Sequence, residues 1–303
     1  MRVGFIGLGH MGQHMARHVA QAGHEVAAFD VRPEAIAELT RHGARRAASV
    51  ADAATAADVV FTSLPGPPEV EAVATGPDGL LDAMPSGSVY VDLSSNSPSV
   101  VRRLSATFAE RGIAMLDAPV AGGVEGADAG TLSVMVGGDR AAFDRVQAVL
   151  EAIGTKIFYC GPSGNGSIVK LCNNLSSQAQ IAAAGEILSL GVKAGVDLET
   201  LASVIAVSTG SCRAIADTFP KQLFRRKFDN PGFSTFLSAK DTHLALELAH
   251  ELDVPMEIGE IIERDKQEAL RRGWGPLSPD VFVCLQEERA GVRLSLAQEA
   301  TDP

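Results

Sequence analysis

The run Arg2-Val-Gly-Phe-Ile6 passes directly into Gly7-Leu8-Gly9-His10-Met11-Gly12, and from there into Met15, Val19 and Ala22 at helical spacing. A strand, a G-x-G-x-x-G turn and a helix in immediate succession leave few folds open. Gly7 permits the tight turn, Gly9 lets a phosphate approach the backbone, and Gly12 lets helix and strand pack closely. The exposed N–H groups and the helix dipole then face an anion, with Leu8, His10 and Met11 completing the loop. The next strand-like run, residues 25–29, ends at Asp30, where a carboxylate accepts hydrogen bonds from an adenosine ribose. The pattern points to a bound dinucleotide. Asp30 favours NAD because it would repel a 2′-phosphate, whereas Arg32 would attract one and keeps NADP open.

Further strand and helix units follow. Residues 58–62 read as a buried strand ending at Leu64-Pro65, and residues 88–92 as another leading to Asn96 and Pro98. In an open parallel sheet, ligands sit beyond the carboxyl ends of the strands, so Leu64, Pro65 and Asn96 are expected to line the nicotinamide side. Capping of the helix that begins at Pro98 is a competing use for Asn96. A strand at 113–117 precedes the most glycine-rich part of the chain, in which Gly122-Gly123 offers unobstructed N–H groups that can hold a carboxylate. A plain turn is the alternative. A helix at 141–152 and a strand at 156–159 close an α/β, Rossmann-like domain expected over residues 1–162.

From 165 to 194 the pattern is continuously helical and carries the chain into a second domain, expected over 163–303. This linking helix places Lys170, Asn173 and Asn174 on one face. A general acid/base beside an amide is one reading and a solvated face is the other. Segments 198–205, 214–224, 233–252, 255–272 and 279–294 all show helical apolar spacing, so the second domain is expected to be all-α. Lys240 lies on an otherwise apolar amphipathic helix, which favours a buried or cleft position. With 303 residues, 46% of them hydrophobic, the chain can fill two cores.

A net charge of -11 argues against nucleic acid or an anionic membrane as partner and leaves small anions held by local cations. Cys160, Cys172, Cys212 and Cys284 are scattered, and nothing before the first strand reads as a signal peptide, so a reduced, cytoplasmic protein is expected. The apolar stretch at 181–196 is interrupted by Glu186 and Lys193 and does not read as a membrane span. His10, His14 and His18 recur every four residues, but no carboxylate or cysteine cluster accompanies them and no metal is expected.

Five motifs resemble the 3-hydroxyacid dehydrogenase family, which includes 3-hydroxyisobutyrate dehydrogenase and tartronate semialdehyde reductase. They are residues 7–16, Asp92 through Pro98, Asp117-Ala-Pro-Val-Ala-Gly-Gly through Gly130-Thr-Leu, Gly161 through Asn174, and Lys240-Asp241. The resemblance implies a helical second domain that commonly builds a homodimer or homotetramer. It also implies that Lys170 is the catalytic lysine, Asn174 orients the substrate, Gly122 and Gly123 bind its carboxylate, and Lys240 contacts the cofactor near the nicotinamide. Leu64, Pro65 and Asn96 fall where the family contacts the cofactor. The sequence departs at Ala121, where the family usually has Ser, and at Thr242, where Leu is common.

The expected reaction interconverts a small anionic 3-hydroxyacid and its 3-oxo acid or semialdehyde, with neutral Lys170 as base. Arg213 lies near where the family lines its substrate pocket and would pair with a second anionic group, a surface role being its alternative. The alternatives are an imine reductase, which generally lacks the lysine on the long helix, a non-catalytic dinucleotide sensor, and a longer decarboxylating relative.

Overall fold

The computed structural model describes residues 1–32, 34–229 and 231–296. The chain forms two compact units, Met1–Lys170 and a second from Leu171 onward.

Strands β1 (Arg2–Ile6), β2 (Glu25–Phe29), β3 (Arg45–Arg46), β4 (Val59–Thr62), β5 (Val89–Asp92) and β6 (Ala114–Asp117) lie parallel in the order 3-2-1-4-5-6. The sheet continues through β8 (Leu132–Gly138), antiparallel to β6, with β7 (Val120–Ala121) and β9 (Gly154–Gly161) paired to it. Helices α1 (Gly12–Gln21), α2 (Glu34–Thr40), α3 (Val50–Ala54), α4 (Pro67–Thr75), α5 (Leu80–Ala83), α6 (Pro98–Glu110), α7 (Gly123–Ala129) and α8 (Arg140–Leu150) connect the strands. Side chains alternate along each strand, so Val59, Phe61, Val89 and Val91 fill the core on one face, and Val60 and Tyr90 the core on the other. Both faces are covered, which is why these strands are apolar runs rather than alternating patterns.

The strand order reverses between β1 and β4, so the glycine turn after β1 lies beside the carboxyl end of β4. Gly7 has φ +90°, and a Cβ there would drive into the carbonyl oxygen of Ser63. A Cβ on Gly12 would strike the carbonyl oxygen of Gly7. These two glycines are required by the turn itself.

The long helix α9 (Asn165–Lys193) starts in the first unit, and the division between units falls within it. Asp117, at the end of β6, accepts N–H groups from Gly164 (2.8 Å) and Ser167 (2.7 Å) and so fixes the first turn of α9 to the sheet. Burial pushes the Asp117 carboxyl up to about 6, with those N–H bonds opposing it.

The second unit contains α10 (Leu198–Ala206), α11 (Phe219–Lys221), α12 (Thr235–Glu251), α13 (Glu257–Arg271) and α14 (Val283–Ala290), and no strand among its described residues. Two expected helices are corrected. Residues 214–224 form a π turn (Ala214–Thr218), the short α11 and a 3-10 turn (Leu223–Arg225), because Pro220 lacks an N–H and is tolerated in the first turn of α11 but not in the interior of one continuous helix. Residues 279–294 form a 3-10 turn (Pro279–Phe282) followed by α14, which stops at Gly291 with φ +62°. Leu171 and Leu175 of α9 pack with Leu244 and Ile262, while Leu188 joins a larger core with Phe219, Phe224, Val281 and Leu285.

Asp117→Ala leaves two buried N–H groups without acceptors and is expected to cost about 2–5 kcal/mol. The check is amide hydrogen exchange, which should accelerate at Gly164 and Ser167 before the distant strands β1 and β2.

Candidate active site

In the first unit the glycine loop and Asp30 are joined by hydrogen bonds. Leu8 N–H donates to Asp30 Oδ2 (2.6 Å) and Arg32 N–H to Oδ1 (2.9 Å). Burial alone would raise the Asp30 carboxyl, but these N–H groups and the Arg32 guanidinium outweigh it and hold the acid below its usual range. Asp30 is thus an ionised acceptor at the end of β2. Gly9 faces open space on the side where a Cβ would point, in contrast to Gly7 and Gly12. His10 is exposed and Met11 half-buried. The Arg32 side chain is exposed beside Asp30, with Nε 3.3 Å from Oδ1. An ionised acceptor at the end of β2, an open loop edge and one exposed guanidinium fit NAD and keep NADP available.

The loops after β4 and β5 are held by one buried carboxylate. Asp92 accepts from Thr62 Oγ1 (2.9 Å), Ser94 N (3.0 Å) and Asn96 Nδ2 (2.9 Å), and Ser94 Oγ in turn accepts Leu64 N–H (3.0 Å). Burial raises Asp92 against these hydrogen bonds. Leu64 and Asn96 are therefore tied to the same acid, while Pro65 stays exposed. The cap of α6 is Ser97, without a side-chain capping bond, and the Asn96 side-chain Oδ1 accepts Ser97 N–H (2.8 Å). The Asn96 amide is buried in this network.

Gly122 and Gly123 have φ +137° and +66° and open α7, with both residues exposed. Ala121 ends β7 just before them. The other end of α7 is clamped to α1. Arg17 donates to Asp128 Oδ1 (2.8 Å), His14 Nδ1 lies 3.0 Å from the same oxygen, and His18 Nε2 lies 2.8 Å from the Asp128 carbonyl oxygen. Two histidines of the apparent metal stripe are thus engaged by α7. Among the described residues no group of three His, Cys, Asp or Glu side chains is arranged to hold a metal.

On α9, Lys170 and Asn174 stand one turn apart, with Lys170 the last residue of the first unit. In the second unit the Asn174 amide is fixed, since Nδ2 donates to Asp241 Oδ2 (2.5 Å) and Oδ1 accepts from Asn173 Nδ2 (3.1 Å). Asp241 is 2% exposed, and its Oδ1 is 2.9 Å from the Nζ of Lys240, a partly buried side chain. Lys266 of α13 is fully buried, donates to Ser238 Oγ on the helix that carries Asp241, and sits 5.9 Å from the ring centre of Phe282. Burial draws the Lys266 ammonium down to about 7, against the opposing pull of the Asp241 and Glu263 charges. Arg213 lies at the surface, its side chain 76% exposed and 3.7 Å from Asp217, which Lys221 also approaches at 2.6 Å.

Residues 2–161 match the NAD-binding domain of 6-phosphogluconate dehydrogenase, and residues 164–277 match the NAD-binding region of NADP-dependent 3-hydroxyisobutyrate dehydrogenase. A 2-(hydroxymethyl)glutarate dehydrogenase from Eubacterium barkeri is 38% identical, covering 98% of this chain and 99% of that protein. The chain belongs to the 3-hydroxyacid dehydrogenase family. An NAD-dependent L-serine dehydrogenase from Pseudomonas aeruginosa is also 38% identical, over 82% of this chain and 85% of that one. The 3-hydroxyisobutyrate dehydrogenase of Mycobacterium tuberculosis, described with L-serine, superposes with a TM-score of 0.86 at 33% identity, covering 94% of this chain and 98% of that one. As a 3-hydroxyacid dehydrogenase, this chain is a nicotinamide-dependent oxidoreductase acting on a hydroxyl group, with NAD as cofactor and NADP open to it.

Asp92 and Asp117 head two of the motifs quoted above but were given no role from sequence, and Lys266 was not named. The first two carried a signal, as acids at the ends of apolar strands. Lys266 carried another, since Ile262, Lys266 and Ala269 share a helical face and only the lysine is polar.

Gly7→Ala is expected to destabilise the protein by about 2 kcal/mol or more, since both the positive φ and the Ser63 carbonyl oppose a side chain. Gly9→Ala should melt within about 0.5 kcal/mol of the parent while weakening dinucleotide affinity at least about tenfold. Thermal melts and a titration of reduced dinucleotide fluorescence separate the two effects.

Proposed function

We propose that the enzyme oxidises the hydroxymethyl group of a 2-substituted 3-hydroxypropanoate to the semialdehyde, and catalyses the reverse reduction. Three relatives support this substrate class, because 2-(hydroxymethyl)glutarate, L-serine and 3-hydroxyisobutyrate share that skeleton and differ in the group on C2. The observation that carries the reading is on α9, where Lys170 stands one turn before an asparagine whose amide Asp241 holds in place.

In this reading residues 1–162 bind the dinucleotide through residues 7–12, Asp30, Arg32, Leu64, Pro65 and Asn96, and residues 163–303 serve substrate binding and assembly. The N–H groups of Gly122 and Gly123 receive the substrate carboxylate, and Ala121 adds no hydroxyl to that contact. Asn174 orients the hydroxyl, and Lys170 Nζ takes its proton. Lys240 stands near the nicotinamide. When bound, the oxidised nicotinamide supplies the hydride acceptor and a positive charge.

Lys170 must be neutral to act as a base, whereas free lysine titrates near ~10.4. Lys240 carries Asp241 as counterion at 2.9 Å, which offsets its field. Desolvation and the ring charge are left to release the Lys170 proton. In the reductive direction the protonated lysine returns it to the new alkoxide.

Arg213 is assigned to a second anion on the C2 substituent, with Asp217 as its partner until substrate arrives. Exposed Ile187 and Leu190 on α9, with Val204 and Val207 nearby in sequence, support assembly into a homodimer or homotetramer. In this reading the chain works in the cytoplasm, with neither nucleic acid nor membrane as partner, which the net charge of -11 and the scattered cysteines support, and no described helix is long and apolar enough to cross a membrane.

Lys170→Met should lower turnover by about 10²- to 10⁴-fold while dinucleotide binding is kept. Wild-type turnover by that variant would remove the assignment. Arg213→Ala should reduce kcat/KM for 2-(hydroxymethyl)glutarate about tenfold or more relative to 3-hydroxyisobutyrate. An equal effect on both substrates would return Arg213 to the surface.

A further inference from the structure

A lysine buried to 0% exposure in an enzyme of this size calls for an explanation, since charged side chains are almost never fully buried unless paired. Lys266 lies on the seam where α13 packs against α12. From α12 the seam presents Ser238 and, one turn later, Asp241, both at most 2% exposed. Lys266 Nζ donates to Ser238 Oγ and feels the Asp241 charge. Glu263, one turn earlier on α13, is the other acid acting on it and is shared with His243 (3.4 Å) and Gln267 (3.1 Å). On the turn that supplies Phe282, the acid Asp280 is bound by Ser278 at 2.5 Å.

Asp241 is as buried as Lys266, and its neighbour Lys240 keeps 24% of its side chain in solvent. A buried carboxylate needs a positive charge that solvent does not screen, and Lys266 is the buried cation acting on it. The carboxylate in turn receives the Asn174 Nδ2–H. A carboxylate accepts and cannot donate, so it fixes which end of the Asn174 amide faces it.

We propose that Lys266 is a positioning residue for the dehydrogenase site, the buried countercharge of the Asp241 carboxylate that fixes the Asn174 amide. It touches no reacting atom. The inference rests on the substrate-orienting role given to Asn174 above. Burial draws Lys266 down to about 7, so its charge is present on the acid side of neutrality and fades above it.

The test compares Lys266→Met with the parent enzyme in the reductive direction. At about pH 6, below the Lys266 titration near about 7, kcat is expected to fall about 10- to 100-fold while KM for the dinucleotide stays within about twofold. At about pH 8.5 the two enzymes should converge, because the parent has then lost the same charge. In an Asp241→Asn background the Lys266→Met substitution should change kcat less than about twofold. Equal losses at both pH values, or additive losses in the double variant, would overturn the proposal and leave Lys266 a structural residue.

Should Lys266→Met fail to fold, the unaltered protein carries a second measurement. With asparagine labelled by ¹⁵N, the side-chain amide of Asn174, identified by its loss in Asn174→Ser, should shift between about pH 6 and about pH 8. His243→Gln serves as control for the imidazole on Glu263 and should leave that shift in place. A resonance that does not move, or that stops moving in the control, overturns the proposal. Asn174→Ala with undiminished turnover would instead remove the role given to Asn174, whatever the resonance does.

Discussion

A parallel sheet covered on both faces must end its strands in loops whose N–H groups are partly out of reach of water, and an unpaired buried N–H costs about 1–3 kcal/mol. This protein meets that constraint with acids. Asp92 at the end of β5 gathers Thr62, Ser94 and Asn96, and Asp117 at the end of β6 gathers Gly164 and Ser167. A carboxylate offers about four acceptor sites on a short stem, so one residue can set two loops at once. The residues expected to border the nicotinamide, Leu64 and Asn96, hang from the first of these acids. The helix that carries Lys170 begins at the second.

The same device recurs in the helical unit with a different balance. There Asp241 is nearly as buried as the strand-end acids, but its partners include cations as well as amides. Breaking a buried charge pair by removing one member typically costs about 3–5 kcal/mol, so the seam between α12 and α13 admits few substitutions. The cost is accompanied by precision, because the Asn174 amide, free to flip on a solvated helix, has one orientation here. Asp30 is handled differently. Backbone N–H groups and Arg32 hold it ionised, which leaves it ready as an acceptor at the end of β2.

Much of this was legible from residue types and spacing. Gly7 and Gly12 are dictated by close backbone approach, Asp30 by its place at the end of the second strand, and the 29-residue helix α9 by an unbroken helical pattern. The helix expected over 214–224 was not legible as drawn, because apolar spacing is blind to the missing N–H of Pro220. Asn96 shows a second limit. Its position beyond a strand was evident, yet the direction of its amide depends on Asp92, a partner whose buried depth only packing creates.

Sequence alone determined the strand, glycine turn and helix that begin the chain, the helical character of the second unit, and the placement of Lys170 and Asn174 on one helical face. Those properties follow from backbone sterics and local periodicity, which act over a few residues. Tertiary structure decided which acids are buried, which amides they lock, and that Lys266 is buried on the seam between α12 and α13 rather than in solvent. Charge and orientation at the site depend on desolvation and on partners tens of residues away, and neither exists until the elements pack.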